Sequence, residues 1–316
     1  MGEFELIDRH FVRPTPRAVL GPGDDCALLA LEPGQQLAVS SDMLVEGRHF
    51  LSTVDPARLG HKALAVNLSD LAACGAQPLA FTLALALPRA DASFVAPLAR
   101  GLFALAERFG IELVGGDTTA GPLNLCVTVL GQVPVGRALL RSGAQPGDAL
   151  WVSGRLGDAR LALEVFRGHV VLEGRAFEDV RRAMECPEPR IALGLALRGL
   201  ATSAIDISDG LLGDLGHILR RSGVGARVEI AALPRSAVLA LQPPDVQQEC
   251  LLRGGDDYEL LFTAPADRGE AVRAAAAAAG TAVTRIGSIE AARGLRWVDE
   301  PGLAHEAEAR GFDHFA

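Results

Sequence analysis

Short motifs that contain aspartate recur along the chain. They are Gly23-Asp24-Asp25, Ser40-Ser41-Asp42, Asn67-Leu68-Ser69-Asp70, Gly115-Gly116-Asp117-Thr118 and Asp206-Ile207-Ser208-Asp209-Gly210. A single aspartate is most often a helix cap or a turn residue. Recurrent carboxylate and hydroxyl oxygens are instead typical ligands of Mg²⁺, and neighbouring glycines let backbone N–H groups approach an anion. The set therefore predicts one polyvalent metal and phosphate site.

Asp70 lies in the mostly apolar segment 63–73. A buried carboxylate without a partner would cost several kcal/mol there, so a cation is its natural partner. Phosphoryl transfer needs alignment and charge neutralisation more than covalent help, and metal ions supply much of both. Dispersed aspartates are suited to that task.

Several familiar catalytic motifs are missing from the sequence. It contains no Gly-x-x-x-x-Gly-Lys-Ser/Thr loop, no Gly-x-Gly-x-x-Gly fingerprint and no His-Arg-Asp kinase motif. It also lacks a His-x-x-x-His pair and a Gly-x-Ser-x-Gly elbow. These absences disfavour the common nucleotide folds, zinc hydrolysis and serine acyl transfer, and leave carboxylate and Mg²⁺ chemistry.

The composition is that of an ordinary globular protein. The 316 residues are 49% hydrophobic and 22% charged, which allows one large or two ordinary domains. A net charge of −9, with Lys62 as the only lysine, argues against nucleic-acid binding. The five cysteines are odd in number and widely spaced, so we expect neither disulfides nor zinc. With no apolar stretch of about 18 residues and no signal peptide, we expect no membrane association and a cytoplasmic location.

Hydrophobic periodicity predicts the order β-α-β-α-β-β for the first part of the chain, with helices on one face of a sheet. The predicted strands are 35–41, 79–87, 111–114 and 123–135, and the predicted helices are 56–74 and 93–109. The polar stretch 141–148 marks a domain boundary, so the prediction is a domain 1–140 and a second α/β domain 141–316. Predicted strands in the second domain are 149–152, 204–207, 226–230 and 258–263, and its helices lie near 157–167, 176–184, 190–201 and 209–222. The fold class is mixed, α+β and α/β.

The motifs together carry a family resemblance from near the start of the chain to its last residues. They read Gly21-Pro-Gly-Asp-Asp-Cys-Ala, Ser41-Asp-Met-Leu-Val-Glu-Gly-Arg-His-Phe, Lys62-Ala-Leu-Ala-Val-Asn-Leu-Ser-Asp, Gly115-Gly-Asp-Thr-Thr, Arg141-Ser-Gly-Ala-Gln-Pro-Gly-Asp, Asp206-Ile-Ser-Asp-Gly-Leu, Gly254-Gly-Asp-Asp-Tyr-Glu-Leu and Gly311-Phe-Asp-His-Phe. The chain resembles the bacterial thiamine-monophosphate kinase family, of the aminoimidazole ribonucleotide synthetase-like superfamily. The resemblance implies a two-domain fold that forms a homodimer through its N-terminal sheet and holds ATP and several Mg²⁺ ions between its domains. It also implies direct, in-line transfer of the ATP γ-phosphate to thiamine monophosphate.

The resemblance also implies roles for individual residues. Mg²⁺ ligands, direct or through water, would be Asp25, Ser40, Ser41, Asp42, Asp70, Asp117, Asp206 and Asp209, with Asp42, Asp70 and Asp117 as the catalytic set. ATP would contact Gly116, Asp117, Arg141, Ser208 and Arg100, although relatives can carry an aromatic at position 100. Thiamine monophosphate would contact His49, Asp256, Asp257 and Phe312. The family usually has Glu-Asp where this chain has Asp256-Asp257.

Alternatives remain open at this stage. His49 beside Phe50 could pack at a loop edge, and Phe312 could belong to a frayed end. The protein could be another ATP-dependent enzyme of the superfamily, such as a cyclo-ligase that phosphorylates a carbonyl oxygen. A non-catalytic nucleotide or Mg²⁺ sensor would keep the ligands without needing His49 and Phe312.

Overall fold

A computed structural model describes residues 2–299 and 303–307. The chain divides into two compact units, the first ending at Gly136 and the second beginning at Arg137. The segment Ala72–Gly75 groups with the second unit. Within the described residues, no helix combines the length and apolar character needed to cross a membrane.

The first unit contains three helices and a four-stranded sheet. Its elements are α1 (Glu3–His10), β1 (Gln35–Val45), α2 (Pro56–Cys74), β2 (Gln77–Leu87), α3 (Ala92–Phe109), β3 (Glu112–Ala120) and β4 (Asn124–Pro134). The strand order is β1-β4-β2-β3, in which β2 and β3 are parallel and the other pairs antiparallel. After α1, the elements follow the predicted order β-α-β-α-β-β. Helix α1 itself was not predicted from the sequence. Two strands extend well beyond their predicted ends: β1 continues past residue 41 to Val45, and β3 continues past residue 114 to Ala120.

Helices α2 and α3 pack closely against each other. A Cβ atom on Gly60 would lie 2.0 Å from the Leu98 carbonyl oxygen, and one on Gly101 would lie 1.8 Å from the Ala57 oxygen. Only glycine therefore permits this backbone approach. Asp91 caps α3 by accepting the N–H of Ser93.

The sheet of the first unit has one well-buried face. Along β4, Leu125, Val127 and Val129 are buried and alternate with half-buried residues. On the other face of β1, Leu37, Val39 and Met43 are exposed. Apolar side chains thus occupy both faces of the sheet, but only one face is buried within this chain.

The second unit contains a seven-stranded mixed sheet in the order β11-β10-β7-β9-β5-β8-β6. Its strands are β5 (Ala149–Ser153), β6 (Ser203–Asp206), β7 (Gly225–Glu229), β8 (Leu260–Ala264), β9 (Val283–Glu290), β10 (Gly294–Val298) and β11 (Ala304–Ala307). Its α-helices are α4 (Asp158–Phe166), α5 (Gly174–Glu185), α6 (Ile191–Leu197), α7 (Leu211–Ser222), α8 (Ala237–Ala240), α9 (Pro244–Arg253) and α10 (Gly269–Ala278). Every residue of β5, β6 and β8 is buried. Strand β6 ends at Asp206, where one of the aspartate motifs begins.

Candidate functional site

Ser40, Asp42 and Asp70 lie on the helix-covered side of the first sheet. The hydroxyl of Ser40 donates a short hydrogen bond to the Asp70 carboxylate on α2. One turn earlier on α2, the buried Asn67 side chain accepts the backbone N–H of Asp42 at 3.0 Å. Two polar contacts therefore join α2 to β1 at the acidic motif. Asp42 and Asp70 are both only half-buried, so their carboxylates remain accessible.

Ser41 points away from this group. Strand alternation places its side chain on the opposite face from Ser40 and Asp42. Its hydroxyl bonds within the sheet, 3.2 Å from the Val127 carbonyl and 2.9 Å from the Thr128 hydroxyl. The side chain of Ser41 thus does not join the oxygen donors of its two neighbours.

A second group of acids lines a cavity of about 240 Å³. Asp24, Asp25, Gly116 and Asp117 contribute to its wall, and another part is formed by the apolar residues Ile7 of α1 and Phe11 and Val12 just after that helix. Gly116 has φ 150°, and a Cβ there would lie 1.9 Å from the Leu83 carbonyl oxygen. The chain therefore needs glycine beside Asp117. Asp25 and Asp117 are exposed, and this arrangement suits a polyvalent cation or a phosphate held by one.

His49 is held in a short turn that follows β1. Its Nδ1 atom accepts the backbone N–H of Val45 at 3.0 Å. Because a backbone N–H only donates, Nδ1 is the unprotonated nitrogen and Nε2 carries the ring proton. The ammonium of buried Lys62 donates to the His49 carbonyl at 3.2 Å. The half-buried imidazole is therefore fixed as an Nε2–H donor.

The loop after β6 carries Asp206, Ser208 and Asp209. Its conformation depends on Asp214, a residue of α7 with 2% exposure, whose Oδ2 atom accepts the N–H groups of Ser208 at 3.1 Å and Asp209 at 3.0 Å. Burial, together with the negative charges of Asp206 and Asp209, raises the pKa of Asp214 to about 8, although the two N–H donors oppose the shift. Asp206 is buried, whereas Ser208 and Asp209 are half-buried.

Asp256 and Asp257 have different environments. The carboxylate of Asp257 accepts the N–H of Gly157 at 2.9 Å, and burial raises its pKa well above the ordinary value. Asp256 has φ 68°, a left-handed conformation that costs energy in a non-glycine residue, and accepts a hydrogen bond from the Tyr258 hydroxyl at 3.2 Å. The Asp257 carboxylate is thus committed to the protein's own backbone.

The remaining candidate residues are dispersed. Arg141 and Arg100 are both exposed, the latter on α3. The Ser222 hydroxyl accepts the N–H groups of Gly143 and Ala144, which fixes the backbone just after Arg141. Phe312 lies outside the described residues. Among residues 2–299 and 303–307, no group of three or more His, Cys, Asp or Glu side chains is arranged to hold a metal ion.

Three residues that support the site were assigned no role from the sequence: Asn67, Lys62 and Asp214. Each forms hydrogen bonds with the backbone of another motif, and a short sequence motif does not indicate contacts of this kind. Two signals were nevertheless present, since Lys62 is the only lysine and Asp214 follows the acidic loop by five residues.

Both units match models of a known family. The model of AIR synthase related protein, N-terminal domain, matches residues 23–133, and the corresponding C-terminal domain matches residues 145–300. The chain is 46% identical to thiamine-monophosphate kinase of Salmonella typhimurium (strain LT2), with 100% of this chain and 98% of the relative covered.

Solved structures give the same result. The crystal structure of thiamine-monophosphate kinase from Stenotrophomonas maltophilia K279a superimposes with a TM-score of 0.85 at 45% identity, covering 93% of this chain and 94% of the other. A structure of AaThiL complexed with AMPPCP and TMP superimposes with a TM-score of 0.79 at 30% identity, covering 90% and 89%.

Proposed function

The chain belongs to the AIR synthase related family and within it to the thiamine-monophosphate kinases, and from this premise we propose the reaction that its site performs. The protein is a thiamine-phosphate kinase, which transfers the γ-phosphate of ATP to thiamine monophosphate and releases thiamine diphosphate and ADP. The observation that carries this conclusion is an identity of 46% that extends over the whole chain and so includes both units. A relative bound to AMPPCP and TMP supports the same pair of substrates.

Incubation of the protein with ATP, Mg²⁺ and thiamine monophosphate tests the reaction. We expect thiamine diphosphate and ADP in equal amounts, and ADP formation that depends on the acceptor. Acceptor-independent ADP, or turnover only with a carbonyl acceptor, would indicate a cyclo-ligase-like enzyme. Nucleotide binding without any turnover would indicate a sensor.

We propose that Mg²⁺ is the metal, because the donors are carboxylate and hydroxyl oxygens with no thiolate or paired imidazole among them. The proposed ligands are Asp25, Ser40, Ser41, Asp42, Asp70 and Asp117 in the first unit, and Asp206 and Asp209 in the second. Ser41 would contribute through its backbone, since its hydroxyl bonds to Val127 and Thr128. When bound, Mg²⁺ neutralises charge on the phosphoryl oxygens.

The chain's own residues then bind and orient the substrates. We propose that Gly116, Arg141 and Ser208 contact ATP, with Arg100 as a further candidate, because glycine exposes backbone N–H groups and arginine matches phosphate geometry. His49 would present its Nε2–H to thiamine monophosphate. Asp256 would contact the same substrate, whereas Asp257 supports the Gly157 backbone. Phe312 is proposed as a ring contact on sequence grounds.

We propose in-line transfer without a phosphoenzyme. The site offers acids and one histidine fixed as a donor, so none of its described groups is arranged as an activated nucleophile. Positioning and charge neutralisation then carry catalysis. Chirally labelled γ-phosphate should emerge inverted in thiamine diphosphate. Retention of configuration would reveal a covalent intermediate and would contradict this mechanism.

We also propose a cytoplasmic homodimer. Cysteines 26, 74, 126, 186 and 250 are thiols rather than halves of disulfides, as is usual in a reducing compartment. Exposed Leu37, Val39 and Met43 form an apolar stripe that a second copy would cover.

A further inference from the structure

Glu259 is a buried acid that directly precedes β8, and the proposed reaction gives it no role. Arg190, which directly precedes α6, donates two hydrogen bonds to its carboxylate, from Nε at 2.7 Å and from Nη2 at 2.5 Å. The hydroxyl of Ser153, the last residue of β5, donates a third. Paired bonds between a guanidinium and a carboxylate are strong and highly directional. Three segments of the second unit therefore converge on one carboxylate.

The backbone beside the Glu259 carboxylate is shaped to admit it. A Cβ atom on Gly154 would lie 1.8 Å from Oε1 of Glu259, so only glycine allows this approach. The Ser153 hydroxyl that donates to the carboxylate also accepts the N–H of Leu260 at 2.8 Å. The side chain of Glu259 and the backbone that follows it are thus fixed by the same group.

The backbone at Glu259 connects the loop before β8 to the loop after β6. Its carbonyl accepts the N–H of Ile207 at 2.8 Å, and the carbonyl of Ile207 accepts the N–H of Tyr258, also at 2.8 Å. The N–H of Asp256 donates to the Ser208 carbonyl at 2.9 Å. These bonds continue the antiparallel pairing of β6 with β8. The two loops are therefore held in one register.

The loop before β8 contains two residues in an unfavourable backbone conformation. Asp256 has φ 68° and Tyr258 has φ 50°, both in the left-handed region that non-glycine residues rarely adopt. Such conformations persist only where the surrounding structure fixes them. The backbone bonds to the loop after β6 supply part of that constraint. The anchored side chain of Glu259, next to Tyr258 in sequence, supplies another part.

We propose that Arg190 and Glu259 are positioning residues, which hold the two loops in the geometry that both substrates need. Both residues act through other groups and contact neither substrate. Asp256 on one loop is the proposed contact of thiamine monophosphate, and Ser208 on the other is a proposed contact of ATP. A displacement of Glu259 would therefore move both contacts together. This inference rests on the proposed function.

Stability alone gives a poor account of this buried ion pair. Taking a carboxylate and a guanidinium out of water has a large cost that their attraction often only offsets, and apolar side chains of similar size can stabilise a fold as well. The paired geometry gives direction instead. Lysine would keep the charge but could not form the two parallel bonds. Substitutions at Arg190 can thus separate charge from alignment.

Kinetics and binding of Arg190 variants test the proposal. We expect Arg190→Met to raise both KM for thiamine monophosphate and the Kd of a non-hydrolysable ATP analogue about tenfold, and Arg190→Lys to raise both about threefold. With both substrates at saturation, kcat should stay within about threefold, because the pair contacts no reacting atom. An unchanged KM and Kd, or a change in only one of them, would overturn the positioning role.

Arg181→Met is the matched control. Arg181 pairs with buried Glu185 on α5 at 3.0 Å, and its side chain is 23% exposed against 20% for Arg190. The control should lower Tm while KM and Kd stay within about twofold. Arg190→Lys keeps the buried charge pair and decides by the same criterion if Arg190→Met does not fold.

Amide hydrogen exchange separates a local effect from a global one. In Arg190→Lys, protection of the N–H groups of Ile207, Asp256 and Tyr258 should fall about tenfold, whereas protection of Val228, buried in β7, should not change. An equal loss at all of these positions would mean that the substitution destabilises the whole unit, and would overturn the positioning role.

The same measurements separate this inference from the proposed function, because exchange and analogue binding need no turnover. A wild-type protein that forms no thiamine diphosphate, with weaker analogue binding and lower loop protection in Arg190→Lys, would sink the proposed function and keep the positioning role. Normal turnover in the wild type, with KM and Kd unchanged in both Arg190 variants, would do the reverse.

Discussion

The side-chain oxygen of Asn67 accepts the backbone N–H of Asp42 at 3.0 Å, across 25 residues of sequence. The amide nitrogen of Asn67 donates in turn to the Ala63 carbonyl at 3.0 Å. The buried Asn67 of α2 therefore fixes the backbone of β1 at Asp42, the proposed catalytic residue.

Replacing Asn67 by alanine leaves a backbone donor of β1 without its acceptor. The free energy of unfolding should fall by about 1–3 kcal/mol, and kcat should fall at least tenfold because Asp42 loses its alignment. Denaturant unfolding and steady-state kinetics measure the two effects. Asn124→Ala, which removes only a contact with the Pro122 carbonyl, is the control. Full activity in the Asn67 variant would show that Asp42 needs no such support.

Asp42→Asn and Asp117→Asn should each reduce turnover about 10²-fold or more. Both changes keep side-chain size and remove a negative charge that would hold a metal, whose charge stabilisation is worth several kcal/mol. The measurement is kcat at saturating Mg²⁺, together with thermal unfolding to confirm the fold. A near-normal rate would assign that carboxylate a structural role.

Asp214→Ala should weaken ATP binding, since the N–H groups of Ser208 and Asp209 lose their common acceptor. We expect the Kd of a non-hydrolysable ATP analogue to rise about tenfold in Asp214→Ala. The rise should be smaller in Asp214→Asn, because asparagine keeps one acceptor oxygen. Calorimetry well below the melting temperature gives Kd for folded protein alone. If Asp214 only stabilised the fold, Tm would fall without a change in Kd. Asp245→Asn, at an exposed position on α9, serves as the control.

Glu164 should make stability depend on pH. Burial opposes its ionisation, but hydrogen bonds from His169 at 2.7 Å and Arg160 at 2.8 Å prevail and lower its pKa. A carboxyl group whose pKa is lower in the folded than in the unfolded protein stabilises the fold at pH values above its unfolded pKa, near about 4.3. That stabilisation is lost as the pH falls through the folded pKa. Glu164→Gln should therefore cost about 1–2 kcal/mol at pH 7 and almost nothing near pH 3.

Urea unfolding across this pH range measures the difference between Glu164→Gln and wild type. Glu229→Gln, at an exposed position of β7, should show no such trend. A destabilisation that is the same at pH 7 and pH 3 would mean that the ionised form of Glu164 is not what stabilises the fold.

Sedimentation should report about twice the 33.1 kDa chain mass. Leu37→Glu and Val39→Glu should shift the protein towards monomer, because charges would then face the proposed interface. An active monomer at micromolar concentration would contradict the homodimer.

Local sequence patterns predicted the elements better than the contacts between them. The helix Pro56–Cys74 was predicted at its observed bounds, because proline favours a helix start and Gly75 and Pro78 follow its end. The sequence predicts that the first strand ends at residue 41, because Ser40 to Asp42 resembles a strand end. Pairing with β4 instead extends β1 to Val45. Ser41 was grouped with Ser40 and Asp42, but the alternation of a continuing strand turns its side chain to the other face.

The supporting residues could not be predicted for a different reason. Asn67 and Lys62 act on backbone groups that are distant in sequence, so only the packing of α2 against the β1 segment reveals them. Asp214 resembles an ordinary first-turn acid of a helix. Its function depends on the path of the preceding loop, which no periodicity encodes.

The burial of Lys62 also makes the protein unusually simple to observe by NMR. As the chain's only lysine it gives, after selective ¹⁵N labelling, one side-chain ammonium resonance instead of a crowded set. Shielding from water at 3% exposure slows proton exchange, and the bond to the His49 carbonyl places this single reporter on the turn proposed to meet the substrate. Titrating thiamine monophosphate while following that one signal would record occupancy of the turn without any added probe.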